Sequence, residues 1–306
     1  MEAVDSSTAG SKLRRSVSWF VAALAVFSVC LVTPFAEVWQ GDVTEDVPLF
    51  PRNDGILTEG QEFWKPVTYA DQHFVTWGVA RNTRALLTRP TALFDAEQCY
   101  PASNTLALGE PMITLGVVGI PAYLATRDPI ATFNFSLVFA VLLGAVAMYL
   151  LVAEWTAVPA AGIVAGILYA FNGVRLWNVV HPYVDDTAWT VLALLLARRF
   201  FAQGRWRDAF GAALVCSLQL AGSFYPFLAA TVFAVPMLGW LLVRYGIRNL
   251  RVAPTLVALG MLGLAAFVVF EPYLAWRSSA DVLRREAQVF LSWSEYLPGE
   301  RMFPGW

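Results

Sequence analysis

Long apolar runs constrain this sequence more than any other feature. The hydrocarbon core of a bilayer is roughly 30 Å thick, and an apolar helix of about 20 residues can cross it. Eight runs near that length lie at 17–36, 106–125, 130–153, 158–177, 187–201, 209–225, 227–243 and 252–274. Only 14% of the residues are charged, whereas soluble domains carry roughly 25%. The sequence therefore predicts an all-α, polytopic transmembrane helical bundle with the lipid bilayer as a partner.

Clusters of arginine and lysine predict how these runs cross. Such clusters mark the cytoplasmic side of a membrane protein, and here they lie at 12–15, 198–207 and 244–251. All three fall on one side only if the run at 106–125 does not cross. That run also contains two prolines, which weaken a helix. We predict about seven crossings plus one non-crossing apolar helix, with the N-terminus inside and the C-terminus outside.

This topology divides the chain into three regions. Residues 1–16 form a cytoplasmic tail, residues 17–275 form the transmembrane domain, and residues 276–306 form an extracytoplasmic segment. The transmembrane domain includes a large first extracytoplasmic loop at 37–129, which we expect to cap the bundle. Within it, 71–89 is predicted to be an amphipathic helix along the outer membrane surface, ended by a proline. Its apolar stripe comprises Phe74, Trp77, Gly78, Ala85 and Leu86.

Charge and cysteine content argue against nucleic-acid binding, a disulfide framework and a paired-cysteine metal site. The net charge of −2 gives no electrostatic basis for binding nucleic acid. Cys30, Cys99 and Cys216 are too few and too scattered for a disulfide framework or a paired metal motif. We assign no metal ligands and no cofactor, and we leave a divalent-metal requirement open.

An ordered set of short motifs follows the first apolar run. Its members are Asp71-Gln72, Leu93-Phe94-Asp95-Ala96, Tyr100-Pro101, Asn104-Thr105-Leu106-Ala107, Glu110, Ala170-Phe171-Asn172 with Arg175 and His181, and Ser217-Leu218-Gln219 with Ser223-Phe224-Tyr225. This set resembles a bacterial group of GT-C-like membrane glycosyltransferases that depend on polyprenyl-phosphate sugars. The likeness covers residues 69–300.

The resemblance implies a location, a donor and an acceptor. The location is the bacterial inner membrane, with a multi-pass GT-C-like fold. The donor is a polyprenyl-phosphate sugar, and the acceptor is an extracytoplasmic glycan, lipid or protein. Members of the group are usually longer, so we expect this chain to be a fragment or a truncated relative.

Two carboxylates are the catalytic candidates. Inverting sugar transfer requires a base for the acceptor hydroxyl, and the resemblance puts a carboxylate on the first outer loop. Asp71 is the first candidate and Glu110 is the second. The alternative for Asp71 is a helix N-cap, and the alternative for Glu110 is a charge at a helix N-terminus.

Further residues are candidates for substrate binding. Phosphate-clamp candidates are Arg81, Arg84 and Arg175, because a guanidinium group binds phosphate oxygens in a bidentate fork. Other candidate contacts are Gln72, Asp95, Tyr100 and His181. The alternatives are arginines that reach lipid headgroups, a turn closed by Asp95, and a solvated loop around His181. We predict that Asp71 and Glu110 meet on the outer face, with His181 and an arginine near them.

Two other functions remain as alternatives. A transporter or flippase of lipid-linked sugars is one, although the sequence has no evident internal repeat of the kind that transporters show. A non-catalytic membrane scaffold is the other, and the expected truncation keeps this alternative open.

Overall fold

The computed structural model describes residues 6–45, 47, 65–98, 101–179, 181–246 and 251–279. All regular secondary structure in these residues is helical. The helices are α1 (Ser6–Val32), α2 (Ala36–Gln40), α3 (Lys65–Thr88), α4 (Ile113–Thr126), α5 (Pro129–Thr156), α6 (Pro159–Ala170), α7 (Gly173–Trp177), α8 (Pro182–Asp185), α9 (Ala188–Gln203), α10 (Trp206–Gly222), α11 (Phe224–Tyr245) and α12 (Val252–Ser279). Short 3₁₀ turns at Pro90–Ala92 and Thr105–Leu108 lie between α3 and α4.

The helix ends follow local sequence signals. Helix α5 begins at Pro129, and the Asp128 carboxylate caps it by accepting the Ala131 N–H at 2.7 Å. Proline suits the first helical position because its missing N–H would have no partner there. Helix α9 is terminated by Gly204, which follows its last residue. The φ of Gly204 is 66°, in the left-handed region, and its N–H donates to the Phe200 carbonyl. A glycine accepts this conformation without strain, which lets α10 start two residues later.

Helix α5 is the centre of the bundle and contacts α1, α3, α4, α6 and α9. A continuous apolar core surrounds it, and its fully buried members include Phe27, Phe35, Leu115, Phe133 and Leu137. At the far end of α5, the Glu154 carboxylate accepts hydrogen bonds from Arg198 at 3.0 Å and Arg199 at 2.8 Å. This pairing offsets part of the positive charge that the two arginines of α9 bring to the end of α5.

Helices α5 and α6 pack closely because α6 presents glycines. Gly162 and Gly166 lie one turn apart, the small-xxx-small spacing that allows helix backbones to approach in membranes. A Cβ atom at Gly162 would lie 2.7 Å from the Tyr149 carbonyl oxygen, and one at Gly166 would lie 2.8 Å from the Ala145 carbonyl oxygen. Either distance is below a normal contact, so this interface requires glycine.

Within the described residues, five segments are long and apolar enough to cross a membrane. They are Arg14–Val32, Pro129–Thr156, Pro159–Leu176, Phe224–Tyr245 and Val252–Trp276. Many large apolar side chains on the last two are exposed, including Phe233 at 72% and Val243 at 89%. Contiguous exposed apolar surface of this kind is typical of a face that meets lipid or a partner. The prediction of apolar membrane helices is confirmed in this form.

Helix α3 is longer than the helix that the sequence predicted at 71–89. The helix itself is confirmed and ends at Thr88, but it begins at Lys65. One face packs against α4 and α5, where Asn82 Nδ2 donates to the Pro111 carbonyl at 2.7 Å and Thr83 Oγ1 donates to the Gly116 carbonyl at 2.8 Å. Phe74, which the sequence assigned to the apolar stripe, is 42% exposed. Polar side chains therefore attach α3 to the bundle.

Candidate functional site

A pocket of about 240 Å³ opens beside the start of α11. It is lined by Asp71, Phe74, Val75, Gly109, Glu110, Met112, His181, Tyr183 and Tyr225. These residues come from α3, from the segment before α4, from the α7–α8 connection, from α8 and from α11. We call this site the carboxylate pocket. Three residues predicted from the sequence, Asp71, Glu110 and His181, therefore line the same pocket.

Asp71 and His181 form a pair across the pocket. The Asp71 carboxylate lies 3.5 Å from His181 Nε2, and the two side chains are 50% and 33% exposed. Asp71 lies within α3, so the predicted N-cap role does not apply to it. His181 is held where α7 ends and α8 begins, and its ring packs edge-on against Tyr183. Both groups remain accessible to a ligand in the pocket.

Glu110 is fixed by the backbone of a distant helix. Its Oε2 accepts the Phe224 N–H at 2.7 Å, at the first residue of α11. An N-terminal helix N–H has no partner inside its own helix, so a carboxylate is a favourable acceptor there. The neighbouring Gly109 carbonyl accepts the Tyr273 hydroxyl at 2.9 Å, which ties α12 to the same segment. Glu110 is therefore held in place in the folded chain.

Two tyrosines form an aromatic wall of the pocket. The rings of Tyr183 and Tyr225 stack with centroids 6.4 Å apart. Burial raises the pKa of Tyr183 to about 12, and the negative charges of Glu110 and Asp71 add to the effect. The Tyr183 hydroxyl is therefore protonated at physiological pH and can donate a hydrogen bond.

The predicted arginines do not line the pocket. Arg81 is buried and donates to the Asp95 carbonyl at 2.6 Å and to the Leu93 carbonyl. Burial lowers its pKa to about 10, with Arg89 contributing and Asp95 opposing. Arg84 is exposed on the other side of α3.

Arg175 stabilises a different part of the chain. Its guanidinium group donates to the Asp185 carbonyl at 2.9 Å and lies 4.1 Å from the centre of the Tyr169 ring. It also donates to the Thr187 hydroxyl. Arg175 therefore orders the connection between α8 and α9, close in sequence to His181.

The other predicted contacts lie outside the pocket lining. The Asp95 carboxylate accepts the Asn104 N–H at 2.8 Å, which closes the loop between the two 3₁₀ turns as the turn alternative predicted. Gln72 is 1% exposed, and its amide has no hydrogen-bond partner within the described part of the chain. Tyr100 lies outside the described residues.

No protein-family model, curated protein sequence or solved structure matches this chain.

A buried carboxylate outside the pocket lining, Asp186, was not foreseen from the sequence. Asp186 is 2% exposed and accepts the Thr114 hydroxyl of α4. Its carbonyl accepts Gln219 Nε2 at 2.8 Å, and the Gln219 oxygen accepts from Thr190 at 2.8 Å. This network joins α4, α9 and α10. The sequence does contain a signal for this site, an adjacent aspartate pair between two apolar runs. A carboxylate in such a position needs partners in the protein interior.

Burial changes the protonation of both aspartates in this pair. It raises the pKa of Asp185 to about 7, with Arg175 opposing. It also raises the pKa of Asp186 to about 6, with the Thr114 hydrogen bond as the main opposing effect. Among the described residues, no three histidine, cysteine, aspartate or glutamate side chains are grouped to hold a metal ion.

Proposed function

We propose that this chain is a membrane-embedded glycosyltransferase that uses a polyprenyl-phosphate sugar as donor, with the carboxylate pocket as its reaction site. The observation that carries the proposal is the convergence of Asp71, Glu110 and His181 on one pocket from three separate segments. A base, an anchored carboxylate and an imidazole beside aromatic rings are suited to binding a sugar and removing a hydroxyl proton.

The transfer step assigns the proton to Asp71. The acceptor hydroxyl oxygen attacks the anomeric carbon, and the bond between that carbon and the donor phosphate oxygen breaks. The polyprenyl phosphate leaves with the bonding electrons. The hydroxyl proton passes to the Asp71 carboxylate, which is half exposed and open to the pocket. The leaving phosphate needs positive charge or hydrogen-bond donors instead of a proton.

His181 and Tyr183 supply those donors in the proposed site. His181 lies 3.5 Å from Asp71, and in its protonated form it brings positive charge to the pocket. The neutral Tyr183 hydroxyl adds a second donor. Glu110 uses one oxygen for the Phe224 N–H, which leaves the other to accept a sugar hydroxyl. The Tyr225 ring offers an apolar face to the sugar.

The lipid part of the donor has a continuous apolar path along α11. Tyr225, Leu228, Val232 and Val235 follow one another at spacings of three or four residues, so they share one helix face. They are 61%, 61%, 70% and 74% exposed. This stripe begins at the pocket and runs along a segment apolar enough to cross the membrane. A polyprenyl chain on this face would leave its phosphate at the pocket.

The proposed topology has seven crossings: α1, α5, α6 with α7, α9, α10, α11 and α12. Helix α4 has 14 residues and so spans about 21 Å, which is short of the roughly 30 Å of a bilayer core. Its length supports a non-crossing role. With the arginine clusters inside, the carboxylate pocket faces the outside of the bacterial inner membrane, where the acceptor would be.

Sugar transfer from defined donors tests the proposal. The purified protein is reconstituted in vesicles with a panel of labelled polyprenyl-phosphate hexoses and pentoses and with simple glycan acceptors. Transfer of label together with release of polyprenyl phosphate supports the enzyme. Movement of intact donor to the other leaflet supports a flippase instead. Donor binding with neither reaction supports a scaffold.

A proton-coupled transporter is the second candidate, favoured by the partly buried Asp185 and the buried Asp186 beside it. Ionisable residues among membrane helices often mark proton or ion pathways, and the pKa values of about 7 and 6 allow protonation to change near neutral pH. Under this alternative, Asp186→Asn abolishes proton-driven donor movement in the same vesicles. Under the transferase proposal, the release of polyprenyl phosphate does not depend on an imposed proton gradient.

A further inference from the structure

A second pocket lies at the opposite end of α11 from the carboxylate pocket. It has a volume of about 410 Å³ and is lined by Gln203, Gly204, Arg205, Trp206, Arg207, Asp208 and Arg251. We call it the arginine pocket. Buried contacts among Phe200, Phe201, Ala209 and Leu241 hold the adjoining ends of α9, α10 and α11 together. The pocket is therefore built between the α9–α10 turn and the start of α12.

With α11 as a membrane crossing, the pocket lies at the depth of lipid headgroups. Helix α11 has 22 residues and a length of about 33 Å, so its two ends lie about one bilayer core apart. The carboxylate pocket is at its first residues, and the arginine pocket is beyond its last turn. Trp206 on the pocket rim is 53% exposed. Exposed tryptophan is enriched at this membrane depth.

The charge of the pocket favours an anion. It contains three guanidinium groups and one carboxylate, a net charge of +2. Within the described residues, Arg205, Arg207 and Arg251 have no ion pair or side-chain hydrogen bond. The 17-residue helix α10 begins here, and no side chain caps its first N–H groups. Guanidinium groups without an ion pair, beside the N-terminus of a helix, match the oxygens of a phosphate group.

We propose that the arginine pocket binds the phosphate of an anionic phospholipid headgroup. The acyl chains have an adjacent surface on α12, where Val252, Leu256 and Leu259 share one helix face and are 74%, 62% and 59% exposed. This apolar face begins immediately after Arg251. A free phosphate ion would use the guanidinium groups but not this face, and for that reason we assign a lipid.

Lipid-dependent thermal stability tests this site. The full chain in neutral detergent is titrated with dioleoylphosphatidylglycerol, with dioleoylphosphatidylcholine, and with inorganic phosphate at matched ionic strength. We expect phosphatidylglycerol to raise the melting temperature saturably. The variant R205Q/R207Q/R251Q should bind it at least about tenfold more weakly, because each lost charge-assisted contact is worth about that factor. Arg244→Gln is the matched control, since Arg244 is exposed at the same end of α11 and is not a lining residue.

Three outcomes would overturn the proposal. In the first, the triple variant responds like the wild type. In the second, Arg244→Gln weakens the response as much as the triple variant, which would indicate general surface charge. In the third, inorganic phosphate or phosphatidylcholine reproduces the stabilisation at equal concentration. If the triple variant does not fold, the single glutamine variants and R205K/R207K/R251K replace it. The lysine variant should then bind phosphatidylglycerol more tightly than any glutamine variant that folds.

Discussion

At the residue scale, the carboxylate pocket combines groups that the sequence suggested and groups that it could not suggest. Asp71, Glu110 and His181 were singled out by residue type and order along the chain. The arginines were chosen for the same reason, yet Arg81 and Arg175 donate to backbone carbonyls. A sequence does not show which carbonyl oxygens are left without partners at helix ends and turns. It therefore identifies a charged side chain more easily than its partner.

Glu110 provides a test of how the pocket is held together. Glu110→Ala leaves the Phe224 N–H without its acceptor, and we expect a loss of about 1–3 kcal/mol in the free energy of unfolding. Glu110→Gln retains an acceptor oxygen and should lose less than half as much. Thermal unfolding of the purified variants in one detergent compares them. Equal losses would show that the hydrogen bond does not stabilise the fold.

Stability should decline as pH rises, because Asp186 is buried and Asp185 is partly buried. Their pKa values are raised in the folded chain to about 7 and about 6, above the unfolded value of about 3.9. Between about pH 4 and pH 7, the folded state therefore binds more protons than the unfolded state does. Its stabilisation is complete below about pH 4 and is lost as pH rises through 6 and 7, by an amount on the order of a few kcal/mol.

Melting temperatures between pH 4 and pH 8 measure this decline. Asp185→Asn should remove a large part of it, because asparagine does not ionise, and Asp186 should account for the remainder. Asp42→Asn is the control. Hydrogen bonds from Thr44 lower the pKa of Asp42, so its own contribution changes at lower pH and with the opposite sign. A decline that is unchanged in Asp185→Asn would contradict the assignment.

At the element scale, the apolar runs predicted most helices, whereas α3 begins earlier than the sequence predicted. The run at 130–153 corresponds to Pro129–Thr156, and the run at 252–274 falls within Val252–Ser279. Helix α3 was harder to predict because its buried face is partly polar. Asn82 and Thr83 are buried through bonds to the backbone of the segment leading into α4 and of α4 itself. Periodicity of apolar residues does not detect a face of this composition.

The α5–α6 contact yields a prediction about glycine. Gly162→Ala and Gly166→Ala each place a Cβ atom against a carbonyl oxygen of α5. We expect each change to lower the free energy of unfolding by about 1–3 kcal/mol. Gly239→Ala is the matched control, because apart from the local backbone of α11 nothing lies within 4 Å of its new Cβ. It should be neutral or stabilising by up to about 1 kcal/mol. Similar thermal stabilities for all three variants would contradict the close packing.

At the scale of the whole molecule, the sequence predicted an all-helical chain, and this is confirmed within the described residues, where five segments are long and apolar enough to span a membrane. The number of crossings stays a prediction, because α9 and α10 have 16 and 17 residues and are shorter than the usual span. Their partly polar interior faces, which include Thr190 and Gln219, explain why hydropathy alone gives a weak signal there.

Cysteine labelling tests the topology directly. In a background with the three native cysteines replaced by alanine, single cysteines are placed at Gln203 and at Asp42. A membrane-impermeant maleimide should label Asp42→Cys in intact cells and label Gln203→Cys only after the membrane is permeabilised. Labelling of Gln203→Cys from outside would contradict the proposed orientation.

The measurement that tests the central claim most directly is the rate at which polyprenyl phosphate is released from its sugar by wild type, Asp71→Asn and Asp42→Asn. The two variants remove one carboxylate each from the region proposed to face outside, but only Asp71 lines the pocket. Loss of a general base should lower the rate about 10²–10⁴-fold, so Asp71→Asn should fall by this factor while Asp42→Asn stays near wild type. A folded Asp71→Asn protein that transfers sugar at the wild-type rate would contradict the account.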